Sequence, residues 1–159
     1  MSRSLLTLVW LVSAVLGLAC GESSDSSPKA AKATSEGRLT GTDWRLVEFQ
    51  SMDDATGTLR PDDPSLYTMR LNADGTVAMR LNCNRATGTW SAEPGSDASS
   101  GRFAFGPLAA TRAMCPSPSM DEHIVTQSEF VRSYLLKENR LYLSLMADGG
   151  IYAWERQGE

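Results

Sequence analysis

Hydrophobic and polar positions fall into short alternating runs separated by turn-forming residues. Trp44, Leu46, Val47 and Phe49 concentrate in residues 42–50, which predicts a first strand. Residues 52–64 are acidic and rich in Asp, Gly and Pro, and read as a loop. Tyr67, Met69 and Leu71 then alternate with Thr68, Arg70 and Asn72. Asn72-Ala73-Asp74-Gly75 supplies turn chemistry, and Val77, Met79, Leu81 and Cys83 continue the period of two, so the pair predicts a β-hairpin. Trp90 marks another short strand, residues 93–101 form a Gly/Ser/Asp loop, and Phe103 and Phe105 alternate in residues 102–106. A second hairpin follows. Leu141, Leu143 and Leu145 alternate with Tyr142, Ser144 and Met146, Ala147-Asp148-Gly149-Gly150 turns the chain, and Tyr152 and Trp154 share one face of the return strand.

One helical pattern interrupts the strands. Ser119-Met120-Asp121-Glu122 has the Ser-x-x-Glu form of a capping box, with two acids where the helix dipole favours them. Met120, Ile124, Val131, Tyr134 and Leu135 fall on one face at helical spacing beside Phe130, with Glu129, Arg132 and Ser133 opposite. The spacing predicts a helix running on to Leu135. Many short antiparallel strands and one helix predict an α+β, mainly β fold: a strongly curved antiparallel sheet or partly closed barrel with the helix packed against it. The hairpins share a Leu-Tyr…Ala-Asp-Gly pattern one residue out of register, which is repeated turn chemistry and not a duplicated unit.

The front of the chain departs from this pattern. Arg3 is the only charge in residues 1–19, and residues 5–18 form an uncharged apolar run. As a helix that run spans ~21 Å, short of the ~30 Å hydrocarbon core, so it reads as a removable secretion signal. Leu16-Gly17-Leu18-Ala19-Cys20 resembles a bacterial lipobox, although Gly17 stands where leucine is commonest. That resemblance implies lipidation of Cys20 and cleavage before it, with more than one acyl chain giving lasting attachment. Gly21 follows in place of the aspartate associated with inner-membrane retention, which makes the periplasmic side of an outer membrane the default location. Residues 21–37 contain no aromatic or β-branched aliphatic side chain and so predict a flexible tether. The chain divides into signal 1–19, lipidated cysteine and tether 20–37, and a single domain 38–159.

Removing Arg3 from the 15 basic residues leaves 14 against 19 acidic ones, a mature net charge of −5. A nucleic-acid partner is therefore not expected. With Cys20 lipidated, Cys83 and Cys115 remain, and an even pair in an oxidising compartment favours a disulfide over a reactive dithiol or two unpaired buried thiols. The single histidine, His123, rules out a multi-His metal site; it is expected at the surface near the helix start, with a base role towards Cys115 as the sharper alternative. Asp53, Asp54, Asp62 and Asp63 lack calcium-loop spacing. Met69, Met79, Met114, Met120 and Met146 read as core fillers and not copper ligands. No phosphate loop or Gly-x-Ser-x-Gly elbow is present. No catalytic residue, metal or cofactor is expected.

Three segments together carry a resemblance. Thr40-Gly41-Thr42-Asp43-Trp44-Arg45-Leu46 looks like the opening of a META domain, as in HslJ-like proteins. Cys83-Asn84-Arg85 with Gly88 and Trp90 resembles that family's Gly-Cys-Asn…Gly-aromatic segment, with Asn82 in place of glycine and Trp90 where Tyr or Phe is common. Phe105-Gly106-Pro107-Leu108 through Thr111-Arg112-Ala113-Met114-Cys115 resembles its Thr-x-Met-x-Cys signature. Glu129-Phe130 and Leu135 sit where the family's helix carries Glu, an aromatic and Leu. The likeness spans about residues 38–157. It implies envelope-associated lipoproteins linked to heat shock, antibiotic tolerance or virulence, without an agreed catalytic activity. Trp44, Asn84, Gly88, Thr111 and Met114 are then expected to be structural. The sequence thus predicts a lipid-anchored, non-catalytic domain that supports envelope stress tolerance by binding an envelope protein or ligand. The alternative is an inhibitor of a hydrolase such as lysozyme or a peptidase, by fold-level analogy.

Overall fold

The computed structural model describes residues 38–158; the signal, Cys20 and the tether predicted before them lie outside the described residues. Ten strands follow in order: β1 (Thr42–Gln50), β2 (Thr58–Leu59), β3 (Tyr67–Leu71), β4 (Thr76–Leu81), β5 (Asn84–Pro94), β6 (Ser100–Phe105), β7 (Ala109–Ala110), β8 (Val131–Lys137), β9 (Arg140–Leu145) and β10 (Ile151–Arg156). The helix α1 (Asp121–Ser128), two turns long, lies between β7 and β8. Eight strands run β1-β3-β4-β5-β6-β8-β9-β10, and β10 pairs back onto β1 from Trp44↔Arg156 to Gln50↔Ile151. The sheet is therefore a closed antiparallel barrel, one step beyond the partly closed sheet that the pattern allowed. β2 adds to the end of β1, and β7 adds to β5.

Inward side chains fill the barrel. Trp44, Leu46, Met69, Leu71, Val77, Leu81, Phe103, Leu141, Leu143 and Trp154 are all at most 2% exposed. An eight-stranded barrel is just wide enough inside for side chains, so these residues make a packed core. Leu39, fully buried, covers one end; its carbonyl accepts from the Thr42 hydroxyl, which in turn accepts from Trp44 Nε1 at 2.6 Å. α1 covers the other end. Met120 and Ile124 are buried there, and the Met120 amide donates to the Tyr67 hydroxyl at 3.1 Å.

Two expectations about this region are corrected. The helix stops at Ser128, and Val131, Tyr134 and Leu135 belong to β8. A bulge explains the misreading: Val131 pairs with Leu145 but Ser133 pairs with Ser144, so two residues on β8 oppose one on β9. The buried pair Val131 and Tyr134 is thereby set three apart, which imitates a helical face. The capping box does not form either. Met120 occupies the N-cap without a side-chain cap bond, because the Ser119 hydroxyl donates to the Asp121 carboxylate and accepts from Asn82 Nδ2 at 3.0 Å.

Strand boundaries shift in two further places. Cys83 does not continue β4 but sits in the tight turn before β5. The strand holding Trp90 is not short; it spans eleven residues from Asn84. Met114, expected in the core, is fully exposed, and Met146 is 45% exposed.

Two buried tyrosines make a paired test. Tyr67 accepts the Met120 amide, whereas the Tyr134 hydroxyl has no hydrogen-bond partner. Tyr67→Phe should lower stability by about 1–3 kcal/mol by orphaning a buried N–H, and Tyr134→Phe should leave it unchanged or raise it. Urea unfolding midpoints of the two variants against the parent check both signs.

Candidate functional site

The site grows from the turn between β4 and β5. Asn82 adopts a left-handed conformation, φ +58°, which asparagine tolerates better than most residues. That is the physical sense in which it replaces glycine. The turn lets Leu81 pair with Asn84 and starts β5 with its first side chain pointing inward.

Residues 106–120 cross the end of the barrel as a strap. Gly88 permits the crossing: a Cβ there would lie 2.6 Å from Leu108 Cδ2 and 2.7 Å from the Pro107 carbonyl. β7 then pairs with Ala86 and Thr87, and the Thr111 amide donates to the Arg85 carbonyl at 2.9 Å. Arg85 returns the bond through its own amide to Thr111 Oγ1 at 3.0 Å.

Asn84, 3% exposed, is the hub of this crossing. Its Oδ1 accepts from Thr111 Oγ1 at 2.9 Å and from the Ala113 amide at 2.8 Å. Its Nδ2 donates to the Ala113 carbonyl at 2.9 Å and to Asp121 Oδ2 at 2.7 Å, with Cys115 Sγ at 3.3 Å. One amide side chain thus joins β5, the strap and the first turn of α1. Burial works to raise the Asp121 pKa, but the bonds from Ser119 and Asn84 outweigh it and hold the carboxyl below its ordinary value. Cys83 and Cys115 are joined as a disulfide 32 residues apart in sequence, and the Cys83 amide donates to Cys115 Sγ at 3.2 Å. Closing a loop of that length contributes roughly 3–4 kcal/mol in the chain-entropy account.

Between the strap and α1 lies an open groove of about 320 Å³. Asn84, Thr111 and Asp121 form its polar floor, Val125 one wall, and exposed Arg112 and Met114 its rim.

His123 is not the surface residue expected. It is partly buried, its ring packs edge-on against Phe49 at 4.6 Å, and Nδ1 lies 2.9 Å from the Tyr152 hydroxyl. Burial lowers the histidine pKa and raises that of the Tyr152 phenol. At neutral pH a neutral imidazole and a neutral phenol therefore share this hydrogen bond. With Cys115 in the disulfide, it has no thiol to offer a histidine base. Among the described residues, no three His, Cys, Asp or Glu side chains cluster as a metal site. Asp53 and Asp63 instead accept local bonds, from Ala55 and Thr56 and from Ser65.

Of the residues singled out in the sequence, Cys83, Asn84, Gly88, Thr111 and Cys115 converge on this end. Met114 reaches it as an exposed rim residue. Trp44 lies at the opposite end, buried near Leu39. Asp121 and His123 were the residues whose roles sequence reasoning missed. Asp121 offered a signal only as a helix-start acid, and the Tyr152 partner of His123 is 29 positions away.

The closed barrel, the disulfide-stapled strap and the end-capping helix define a small β-barrel domain built around a hydrogen-bonded groove. Residues 37–157 match the META domain family, and the chain belongs to it. Two solved structures share the fold. One is the NMR structure of a protein from Burkholderia xenovorans, 18% identical, with a TM-score of 0.62 over 79% of this chain and 88% of that one. The other is a DUF4847-family protein from Bacteroides vulgatus, 15% identical, with a TM-score of 0.54 over 78% and 98%. No curated protein matches the chain.

Two outcomes follow from this geometry. Asn84→Ala removes the acceptor of the Ala113 amide and the donor to Asp121, and should cost about 2–4 kcal/mol in urea unfolding. Because the folded pKa of His123 is depressed, the unfolded chain binds the extra proton first. Stability should therefore be full above about pH 6.5 and fall as pH drops from there towards the lower folded value, ahead of carboxylate titration. His123→Gln should flatten that slope in unfolding midpoints measured across the window.

Proposed function

We propose that this META domain is a non-catalytic binding module, held on a cell-envelope membrane through lipid on Cys20, that supports tolerance of heat or antibiotic stress by engaging an envelope protein or ligand. The observation that carries the reading is the groove. Its floor groups, Asn84, Thr111 and Asp121, are bonded to one another and to the strap, so they fix a shape instead of presenting a reactive atom. Its rim leaves Arg112, Met114 and Glu122 outward. An exposed methionine flanked by opposite charges on a stapled frame suits recognition: the sulfur side chain adapts to an apolar partner, and the charges set register.

The family resemblance and the lipobox support the membrane and stress parts of the reading. The test compares full-length protein with Cys20→Ala and Met114→Glu variants in cells lacking the native gene. Wild type should sediment with membranes and restore survival after heat or antibiotic challenge. Cys20→Ala should be released from membranes and lose the rescue. Met114→Glu should stay membrane-bound, unfold like the parent, and lose rescue together with at least tenfold of its cross-linking to a partner. Rescue by an unanchored cytosolic version would overturn the anchoring reading, and full rescue by Met114→Glu would overturn the groove as the binding surface.

A further inference from the structure

The opposite end of the barrel carries charge that the groove does not use. The β8–β9 hairpin turns through Glu138 and Asn139, both left-handed at φ +50° and +63°, as a two-residue hairpin loop requires. Lys137 and Arg140 flank that turn as a cross-strand pair. Together with Arg38, Trp44 and Arg156 they line an open pocket of about 210 Å³.

Four cations and one carboxylate, Glu138, therefore meet in a chain whose overall net charge is −4. Neighbouring acids do little to neutralise them. Glu138 approaches Lys137 at only 3.8 Å with both side chains exposed. Glu155 lies opposite Arg140 in register, but its carboxylate is bonded to Arg45 at 2.8 Å. Asp97, in the loop that accepts the Leu136 amide, receives bonds from Ser99 and Ser100. Among the described residues no carboxylate forms an ion pair with Arg38, Arg140 or Arg156. Arg156 is held in place, donating to the Arg38 carbonyl at 3.1 Å with its guanidinium 5.5 Å from the Trp44 ring centre.

Position makes this charge meaningful. Arg38 lines the pocket, so the segment leading back to Cys20 joins the barrel at this end. We infer that the basic end docks on the anionic phospholipid headgroups of the membrane that holds the lipid anchor, with a headgroup phosphate taken between Arg38, Arg140 and Arg156. The inference rests on the anchoring reading above. The tether predicted over residues 20–37 would have a coil span of ~20–25 Å, and charge attraction fades beyond ~8 Å at physiological salt. The anchor therefore supplies a high local concentration, and contact at the basic end selects the orientation. Each such cation near an anionic surface contributes roughly fivefold to the docked population.

The test uses the full-length lipidated protein in phosphatidylcholine vesicles with and without phosphatidylglycerol. Flotation with pure phosphatidylcholine vesicles reads the anchor, and hydrogen exchange at the Glu138 and Asn139 amides reads docking. Exchange there should slow only with phosphatidylglycerol, and the slowing should vanish in about 1 M NaCl, where screening acts within ~3 Å. Lys137→Ala/Arg140→Ala should lower the docked-to-free ratio about 25-fold. Arg80→Ala/Arg85→Ala, which removes equal charge beside the β4–β5 turn at the other end, should leave it unchanged. Equal exchange in both vesicle types overturns docking while leaving the anchor intact. Protection by inorganic phosphate without anionic lipid would make the pocket a free-anion site and also overturn it. Failure to float with phosphatidylcholine sinks the anchoring reading instead. In that case salt-sensitive flotation with phosphatidylglycerol vesicles supports the basic end, and its absence overturns it.

Discussion

When β10 pairs with β1, an antiparallel meander becomes a closed barrel, and each inward side chain gains neighbours on every side. Closure also removes the free edges that would otherwise offer unpaired backbone groups to another chain. It leaves two open ends, and the rest of the described structure is arranged to cover them. Leu39 fills one end through the Thr42 and Trp44 bonds. α1 fills the other, but an eight-residue helix is marginal on its own. It is held by burial of Met120 and Ile124, by Tyr67, and by the Asn84–Asp121 bond. The disulfide and Gly88 matter because they fix the strap that delivers the helix to that end.

Seen from the sequence, the clearest elements are those where nearly every inward position is large and apolar. β1, the β3–β4 hairpin and the β9–β10 hairpin read correctly for that reason. β5 was hard to read because its inward positions include Asn84, Ala86 and Ala92, which are small or polar. β8 was misread because its bulge converts a period of two into a spacing of three. Cys83 kept the alternation of β4 by coincidence of parity, although the chain had already turned. The cysteine pairing was legible from counting, together with the oxidising compartment that the lipobox-like segment predicts. The hub role of Asn84 was not, since its partners come from strap and helix positions 27 to 37 residues away.

Met114 and His123 show the same limit from opposite directions. A methionine between apolar neighbours looks like core, yet the strap turns it outward because Asn84 bonds the adjacent Ala113 at both its amide and its carbonyl. A histidine beside two acids looks like surface, yet its helix lies across the barrel end and presses the ring onto Phe49 and Tyr152. In both cases long-range contacts decide which side of a residue meets water.

The two ends of the barrel differ in how their polar groups are satisfied, and this difference organises the functional reading. At the groove end, Asn84, Thr111 and Asp121 satisfy one another, so the frame is fixed and only the rim is left to vary its contacts. At the hairpin end, cations outnumber carboxylates and only Arg156 is pinned in place. An anionic surface would match the second arrangement. Because Arg38 enters at the cationic end, docking there would turn the groove away from the membrane. The same orientation that satisfies the cations would thus present the stapled groove to the surrounding compartment.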